Sequence, residues 1–594
     1  MLKVGGSLLK RFIALTLSAT VVLVFTPSAL AQFERPTSNQ VPAGSTYITI
    51  DEAEYSHSIR KGLTLGDDGR YDESFHCITF QEDRDECSVK TPGMQFSAFN
   101  VLPVCKTSEQ LNCLVGVRFT EDGNPQTGEF VREIDGQTYP AVPDLDIHEG
   151  GTASIWTVPG SAHSGGTNEY TVMVFERQDY DPRLGRFFTG QVTLSVVPFS
   201  TKPSNASARE VFERLDVNGK NQVYEYGPDE DCVWHEAGVC AKRADFIGNP
   251  EISVTVRYSK DVSGWFRGRV SETTAEVSDF RNANYEVTVS GKPVSVARFG
   301  VLANQENTNQ VVREIFAPGS GGSGELFQQG SYKGAFATDG WFERPYRVLE
   351  AYRDVVNDSA AGISTIWSIE SFSIGRGEPC FQGKDGLLGI VSTNATVYDG
   401  LEPEFESGQL TYKVAGLHYG PDGQTLNLGT YDLVMRSDVA RCLYGFSNAP
   451  VSAQVQVVNE AGEEVVATTV VSERDGWLKL AAYGFTFSEK EIRVKITQPQ
   501  IRTLSNFSGR TTSLSTKQKA EIRAAVTKGA GNPKFICTGI RFVSQPVRDN
   551  IVVRARAKAA CAYAKSLNPK LSTFFQTKTT QARSYNGRVL VVSK

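Results

Sequence analysis

The chain has 594 residues, ten cysteines and a formal net charge of −6 at neutral pH. This length excludes a single hydrophobic core, so we expect several domains. Gly, Ser, Thr and Val are abundant and long helical patterns are few, which excludes a mainly helical protein and favours β-rich modules.

The first 31 residues have the pattern of a secretory signal peptide. A positive flank that ends at Lys10 and Arg11 precedes an apolar run from Phe12 to Phe25. This run is too short for a permanent membrane span, and Ala29-Leu-Ala matches the cleavage pattern of signal peptidase. We therefore expect residues 1–31 to be removed on export and the mature protein to lie outside the cell or in its wall. No later stretch predicts a transmembrane segment.

The cysteines fall into local couples along the chain, which fits an exported protein. Pairs of metal-ligating cysteines are typically two to four residues apart, and no couple has that spacing. Sequential pairing predicts five disulfides. They are Cys77–Cys87, Cys105–Cys113, Cys232–Cys240, Cys380–Cys442 and Cys537–Cys561.

Residues 32–205 and 206–378 are predicted as two β-rich domains. Strand-length apolar or alternating runs recur in both, such as Tyr170-Thr-Val-Met-Val-Phe and Ile252-Ser-Val-Thr-Val-Arg-Tyr, with glycine-rich turns between them. Ser207 to Leu215 is a candidate for a short helix at the start of the second domain. Pro318 to Gly324 has the composition of a flexible loop.

Residues 379–500 are predicted as a β-sandwich that folds independently. Five strand patterns lie within about 120 residues, and a sixth is expected from Trp477 to Leu480. We expect Trp477 and Phe485 to lie in its core.

Residues 501–594 change pattern to strand, helix, strand, helix, strand, strand, which predicts an α/β domain. Ser515 and Gln518 form a capping box for a helix over about 516–528. A second helix is expected to be capped by Asn550 and to end near Leu567. The fold class is thus multidomain and mainly β, with tandem β-sandwich-like modules before a C-terminal α/β domain.

Charge is divided unequally along the chain. Residues 501–594 carry 18 Lys/Arg and two acids, whereas residues 32–500 carry 40 Lys/Arg and 65 acids, giving +16 and −25. A basic domain on an acidic protein indicates an anionic partner, and outside a cell a wall polymer is more accessible than nucleic acid. The second helix places its basic residues largely on one stripe. The predicted ligand-binding residues are Arg554, Arg556, Lys558, Lys565 and Arg588.

No catalytic motif is found. The sequence has no His-Glu-x-x-His and no Gly-x-Ser-x-Gly, and its six histidines are scattered singly. Gly319-x-Gly-x-x-Gly324 matches a dinucleotide motif only in spelling, because it lies in a Gly/Ser run. We expect no cofactor, no metal site and no enzymatic activity.

The last domain resembles the OmpA/MotB-type domain, which binds peptidoglycan non-covalently in bacterial envelopes. The resemblance rests on the order of elements, on Leu514-Ser-Thr-Lys-Gln, on Arg556-Ala557 and on Asn586-Gly-Arg-Val. It implies that Arg556 corresponds to the family arginine that holds diaminopimelate. The partner aspartate of the family is not present, because Gly539-Ile-Arg stands where the family has Gly-His-Thr-Asp.

Residues 380–500 resemble a module of uncharacterised secreted actinobacterial proteins. The stretches that carry this resemblance are Val391-Ser-Thr-Asn-Ala-Thr-Val-Tyr, Asp438-Val-Ala-Arg-Cys-Leu-Tyr-Gly-Phe and Gly476-Trp-Leu-Lys-Leu. It implies a shared architecture and no particular activity.

These observations favour a non-enzymatic envelope protein whose basic domain holds peptidoglycan or another anionic wall polymer while the β-modules project outward. Two alternatives stay open at this point. One is a secreted adhesin or surface-layer component that binds partners through its β-modules. The other is a secreted hydrolase with a site in residues 32–378, which a pocket with paired carboxylates would support.

Overall fold

The structure of the protein is a computed structural model. It describes residues 32–593 except 37–39, 53–63, 68–95, 137, 139, 205–210, 216–220, 226–231, 237, 260–263, 282–283, 318–325, 328–330, 339–342, 373–378, 382–385, 407–408, 445–451, 460–463, 466–467, 488–489, 498–499, 527–533 and 581–585. The predicted signal peptide and the Gly/Ser-rich segment from Pro318 to Gly324 lie outside the described residues. No helix in the described part of the chain is long and apolar enough to cross a membrane.

The protein is mainly β, as the sequence predicts. Its first strands are β1 (Ser45–Asp51), β2 (Thr64–Asp67), β3 (Phe96–Val101), β4 (Cys113–Glu121), β5 (Asn124–Thr127), β6 (Glu129–Glu133), β7 (Ser154–Thr157), β8 (Glu169–Asp181), β9 (Arg186–Pro203), β10 (Val211–Leu215), β11 (Asn221–Glu225), β12 (Trp234–Glu236) and β13 (Val239–Arg243). The middle strands are β14 (Glu251–Tyr258), β15 (Gly264–Phe280), β16 (Asn284–Arg298), β17 (Gly300–Asn304), β18 (Ser331–Phe336) and β19 (Gly362–Phe372).

The remaining strands follow in residues 387–593. They are β20 (Leu387–Thr393), β21 (Val397–Tyr398), β22 (Glu404–Glu406), β23 (Gln409–Ala415), β24 (Leu428–Arg436), β25 (Ser452–Asn459), β26 (Glu464–Val465), β27 (Thr468–Arg474), β28 (Trp477–Thr486), β29 (Lys490–Thr497), β30 (Gln500–Thr503), β31 (Lys534–Phe542), β32 (Ser572–Thr580) and β33 (Val589–Ser593). The α-helices are α1 (Gln310–Ile315), α2 (Glu343–Tyr352), α3 (Ser437–Tyr444), α4 (Thr516–Val526) and α5 (Asp549–Leu567).

Strand pairing crosses two of the predicted domain boundaries. Across 205/206, β14 pairs with β4 and β19 pairs with β9. The same boundary is crossed by β1 near the N-terminus, which pairs with β17 and β18. Across 378/379, β15 pairs in parallel with β20. The predicted separation of residues 32–500 into three successive modules is therefore corrected. These residues, here called the body, form one interlocked β-unit because their strand partners are distant in sequence.

The buried cores also combine residues from all three predicted modules. One core includes Ile48, Phe299 and Leu433. A second contains Val172 from β8, Val254 from β14, Ile390 from β20 and Val434 from β24. Both cores are thus built from segments that the sequence analysis assigns to different domains.

The predicted sandwich of residues 379–500 is divided between two sheets. β20, β24, β27 and β28 belong to an extended network of eighteen strands among the described residues, whereas β21, β22, β23, β25, β26 and β29 form a six-stranded sheet. The expected sixth strand from Trp477 is confirmed as β28. Phe485 is fully buried, but Trp477 is only partly buried. Because this segment shares strands and core with earlier residues, independent folding is not supported.

The C-terminal unit (residues 501–594) has its own sheet and its own core. Its strands lie in the order β30, β33, β31, β32, with β31 parallel to β32 and antiparallel to β33. Its core contains residues from Leu504 to Val591. The predicted element order is confirmed, and so is the capping box, since Gln518 N and Ser515 Oγ are 3.2 Å apart and Ser515 N donates to Gln518 Oε1 at 2.8 Å.

Two local predictions are wrong. The second half of the expected helix from Ser207 to Leu215 is strand β10, which pairs with β11 as a hairpin. Asn550 does not cap α5, because the helix already includes Asp549 and the Asn550 side chain accepts a hydrogen bond from Arg541 Nε at 3.0 Å.

Four of the five predicted disulfides are present. They are Cys105–Cys113, Cys232–Cys240, Cys380–Cys442 and Cys537–Cys561. Cys77 and Cys87 lie outside the described residues. Three of the bonds staple segments of the body and one joins α5 to β31, so each of the two units contains at least one covalent cross-link.

A buried ion pair joins the first strand of the body to its centre. Arg269 on β15 and Glu52 after β1 are 1% and 5% exposed. The guanidinium donates from Nε and Nη2 to the two carboxylate oxygens at 2.7 and 2.9 Å. Its Nη1 donates to the carbonyls of Thr393 and Ala395 at 3.0 and 2.6 Å. Hydrogen bonds to one carboxylate and two carbonyls therefore offset the cost of burying the charge of Arg269.

We predict that Glu52→Gln destabilises the body by about 3–5 kcal/mol, because it leaves the Arg269 charge buried without a carboxylate. Urea unfolding of the mature chain measures this as a lower midpoint for the transition of the body. The matched control is Glu109→Gln, which breaks the exposed Arg281–Glu109 pair and should leave the midpoint unchanged. Equal midpoints for Glu52→Gln and the unsubstituted chain would contradict the importance given to this pair.

Candidate functional site

The C-terminal unit has almost no internal compensation for its positive charge. Its two acids are Glu521 and Asp549. Asp549 pairs with Arg510 at 2.9 Å, and Glu521 accepts hydrogen bonds from the backbone and hydroxyl of Ser505. Because 18 basic residues share these two carboxylates, the surface of the unit is strongly cationic.

Helix α5 presents three of the predicted binding residues to solvent. Arg554, Lys558 and Lys565 are exposed, while the opposite face of the helix packs on the sheet through residues such as Ala557 and Cys561. The 11-residue separation of the outer two corresponds to about 16 Å along the helix axis. The Arg554 guanidinium lies 5.8 Å from the centre of the Phe575 ring, which steadies one end of the row. We call these three residues the cationic stripe.

Arg556, the fourth predicted binding residue, is not on this surface. It is 4% exposed, and its guanidinium lies 4.6 Å from the centre of the Phe507 ring. It donates from Nε to Thr511 O at 2.8 Å, from Nη1 to Gly587 O at 2.7 Å and from Nη2 to Gly509 O at 2.5 Å. Burial, and then repulsion from Arg510, lowers the pKa of Arg556. The structure therefore gives Arg556 a bracing role between the helix and two loops.

The turn at Gly587 is shaped around this arginine. Gly587 has a φ of +74°, and a Cβ there would lie 2.9 Å from Arg556 Nη1. Any other residue would be strained by this positive φ, and its Cβ would clash with the guanidinium of Arg556. The Asn586-Gly-Arg-Val stretch is thereby connected to Arg556. Arg588 in this stretch, the fifth predicted binding residue, is partly buried and lies immediately before β33.

A second arginine of the C-terminal unit is buried at the end of β31. Arg541, at the end of β31, is 9% exposed. It donates to Asn550 Oδ1 at 3.0 Å, to Val543 O at 3.4 Å and to Gln545 O. Sequence reasoning did not assign this role. The scarcity of acids in residues 501–594 could have indicated it. A buried arginine that has no carboxylate partner must donate to carbonyl or amide oxygens.

The described residues offer no alternative centre based on a metal. Within the described part of the chain, no group of three or more His, Cys, Asp or Glu side chains could hold a metal ion. His148, one of the scattered histidines, is buried and its Nδ1 lies 2.7 Å from Glu176 Oε2. Comparison with protein-family models and with curated proteins finds no match for this chain.

We predict that Arg556→Ala destabilises the C-terminal unit by about 3 kcal/mol, because three hydrogen bonds from a charged donor are lost and three carbonyls lose their partner. Thermal unfolding of residues 501–594 with its disulfide intact measures the effect. The control is Lys558→Ala, which changes an exposed residue of the same helix. This variant should have the same melting temperature as the unsubstituted fragment. An Arg556→Ala variant with unchanged stability would show that these contacts do not brace the loops.

Proposed function

We propose that this is an exported, non-enzymatic envelope protein that is held on an anionic wall polymer by the cationic stripe of its C-terminal unit. The observation that carries the proposal is an exposed row of Arg554, Lys558 and Lys565 on a unit of charge +16 attached to a body of −25. Such a charge distribution orients the molecule, because an anionic polymer attracts one end and repels the other.

Export is supported by two independent features. The sequence begins with the pattern of a signal peptide, and four cysteine pairs have the geometry of disulfides. Disulfides persist in oxidising compartments and are rare in the cytosol. We infer that the mature protein lies outside the cell or in its wall.

The OmpA/MotB-type resemblance supports the wall as the partner, but we propose a contact that differs from the diaminopimelate contact of that family. The elements of the C-terminal unit follow the order on which that resemblance rests. The arginine that corresponds to the diaminopimelate contact of the family is engaged by three carbonyls, and the family aspartate is absent. We therefore favour attraction between the cationic stripe and a polyanion over recognition of diaminopimelate in a pocket.

The test is a pull-down of the mature chain with insoluble cell wall across a series of salt concentrations. We expect binding at low salt that weakens steeply as salt rises, because exposed charges are screened within about 8 Å at physiological ionic strength. Replacing Arg554, Lys558 and Lys565 together by Gln should remove most of the binding, because it deletes the stripe and leaves the core of the unit unchanged.

The control carries the same loss of charge on the body. Lys106, Arg183 and Arg281 are exposed, and replacing all three by Gln should leave wall binding unchanged. Absence of wall binding at low salt would contradict the proposed function. Salt-resistant binding that survives the triple change of the stripe would instead place the contact elsewhere on the chain.

A further inference from the structure

The surface of the body has an open cavity of about 750 Å³ beside the N-terminus of α3. It is lined by Arg436, Ser437, Asp438, Arg441, Asp475 and Trp477, together with neighbouring residues. Ligand sites for small molecules typically measure about 300–1,000 Å³. Neither the sequence motifs nor the proposed wall attachment uses this cavity.

The walls of the cavity are fixed before any ligand arrives. The Cys380–Cys442 disulfide anchors α3, and Arg436 on β24 is paired with Trp477 on β28. Ser437 N donates to Gly476 O at 2.7 Å, which joins the helix start to the β27–β28 turn. Asp475 and Gly476 in that turn both have positive φ, the geometry of a tight hairpin. A preformed site loses little conformational freedom on binding.

The charged groups of the cavity balance one another. Its lining contains two arginines and two aspartates. Arg436 pairs with Asp438 at 3.0 Å, and Arg441 pairs with Glu473 beside the cavity at 2.6 Å. An anion or a cation would have to compete with these pairs, so the cavity suits a neutral ligand that accepts from guanidinium groups and donates to carboxylates.

The buried hydroxyl of Ser437 favours a ligand that forms hydrogen bonds. Ser437 is 7% exposed, and its buried Oγ has no hydrogen-bond partner among the residues that the structure describes. A hydroxyl can donate one hydrogen bond and accept two, and burying it unsatisfied destabilises the fold. A ligand hydroxyl in the cavity would satisfy it.

Trp477 adds a flat apolar surface to this polar lining. Four other tryptophans, at positions 156, 234, 265 and 367, are no more than 4% exposed, whereas Trp477 is only partly buried. Trp477 packs partly against the second core of the body and is also one of the residues that line the cavity. An aromatic face carries negative charge density that attracts weakly positive C–H groups.

We propose that this cavity binds a neutral saccharide, with one pyranose ring on Trp477 and its hydroxyls on Ser437, the arginines and the aspartates. A pyranose combines an apolar C–H face with a rim of hydroxyl groups that both donate and accept hydrogen bonds. It therefore matches an indole beside charge-balanced polar groups. The site is separate from the cationic stripe and does not depend on the proposed wall attachment.

The experiment titrates the mature chain with chitotetraose and with cellotetraose by calorimetry, with inorganic phosphate as a competitor. We expect saturable binding of at least one oligosaccharide and no competition from phosphate. No binding of either oligosaccharide at millimolar concentration would overturn the proposal. Competition by phosphate would also overturn it, because it would identify the cavity as an anion site.

Two variants locate the contact. Ser437→Ala should weaken binding about fivefold by removing one hydrogen bond. Its melting temperature should not fall, because the deleted hydroxyl has no hydrogen-bond partner in the described part of the chain. Trp477→Ala should weaken binding by more than about tenfold. Phe188→Ala, which deletes an exposed aromatic ring on β9, is the matched control and should bind normally.

A Ser437→Ala chain that binds like the unsubstituted protein would overturn the assignment of the cavity. The full chain with Arg554, Lys558 and Lys565 replaced by Gln separates this proposal from wall attachment. That chain should retain oligosaccharide binding even where it has lost the wall, and loss of oligosaccharide binding would contradict a separate site in the cavity.

Discussion

The buried contact of Arg269 with Glu52 is the constraint around which the body is organised. Removing these two charges from water is costly, and only a complete set of partners offsets that cost. The partners come from segments far apart in sequence: the end of β1, β15, and the backbone that follows β20. The ring of Tyr398, 4.3 Å from the guanidinium, closes the site. The contact therefore forms only when all these segments are in register.

A neighbouring contact repeats the same arrangement. Arg267, two residues earlier on β15, pairs with Glu370 of β19 at 3.1 Å and donates to the carbonyl of Gly400. Alternate residues on a strand point to the same face, so both arginines extend from one side of β15. Together they connect β1, β15, β19 and the segment after β20. This connection explains why the body is not a row of separable sandwiches.

The buried arginines described in the two units differ in how their charge is compensated. In the body, Arg269 and Arg267 each pair with a carboxylate, of Glu52 and Glu370 respectively, in addition to main-chain carbonyls. In the C-terminal unit, which has two acids, Arg556 and Arg541 donate mainly to main-chain carbonyls. A carbonyl satisfies the donors but does not neutralise the charge. The unit thus stays strongly cationic even where its arginines are fully engaged.

Local sequence pattern predicted the elements and not their partners. Alternating or apolar runs located strands such as β8 and β14, and the capping box at Ser515 located α4. Sequential pairing gave all four disulfides found among the described residues. The pairings β4–β14 and β15–β20 depend on contacts more than 100 residues apart, which alternation does not encode.

The same limit applies to the candidate site. Helical periodicity correctly placed Arg554, Lys558 and Lys565 on the solvent side, because exposure there depends on the helix alone. Arg556 lies at the border of the apolar face, where periodicity does not decide burial. Its burial depends on the loops that contain Gly509 and Gly587, and only the three-dimensional fold brings them over the helix.

Two contacts of different physical kind on one chain suit a polymeric partner. The cationic stripe attracts over several ångströms and is weakened by salt, whereas a charge-balanced cavity acts at contact distance and is little affected by salt. On a polymer that offers both anionic groups and neutral sugars, the first contact raises the effective concentration for the second. Each contact can then be individually weak. Under the proposed function, the two contacts together give firm attachment to the wall without a contact between Arg556 and diaminopimelate.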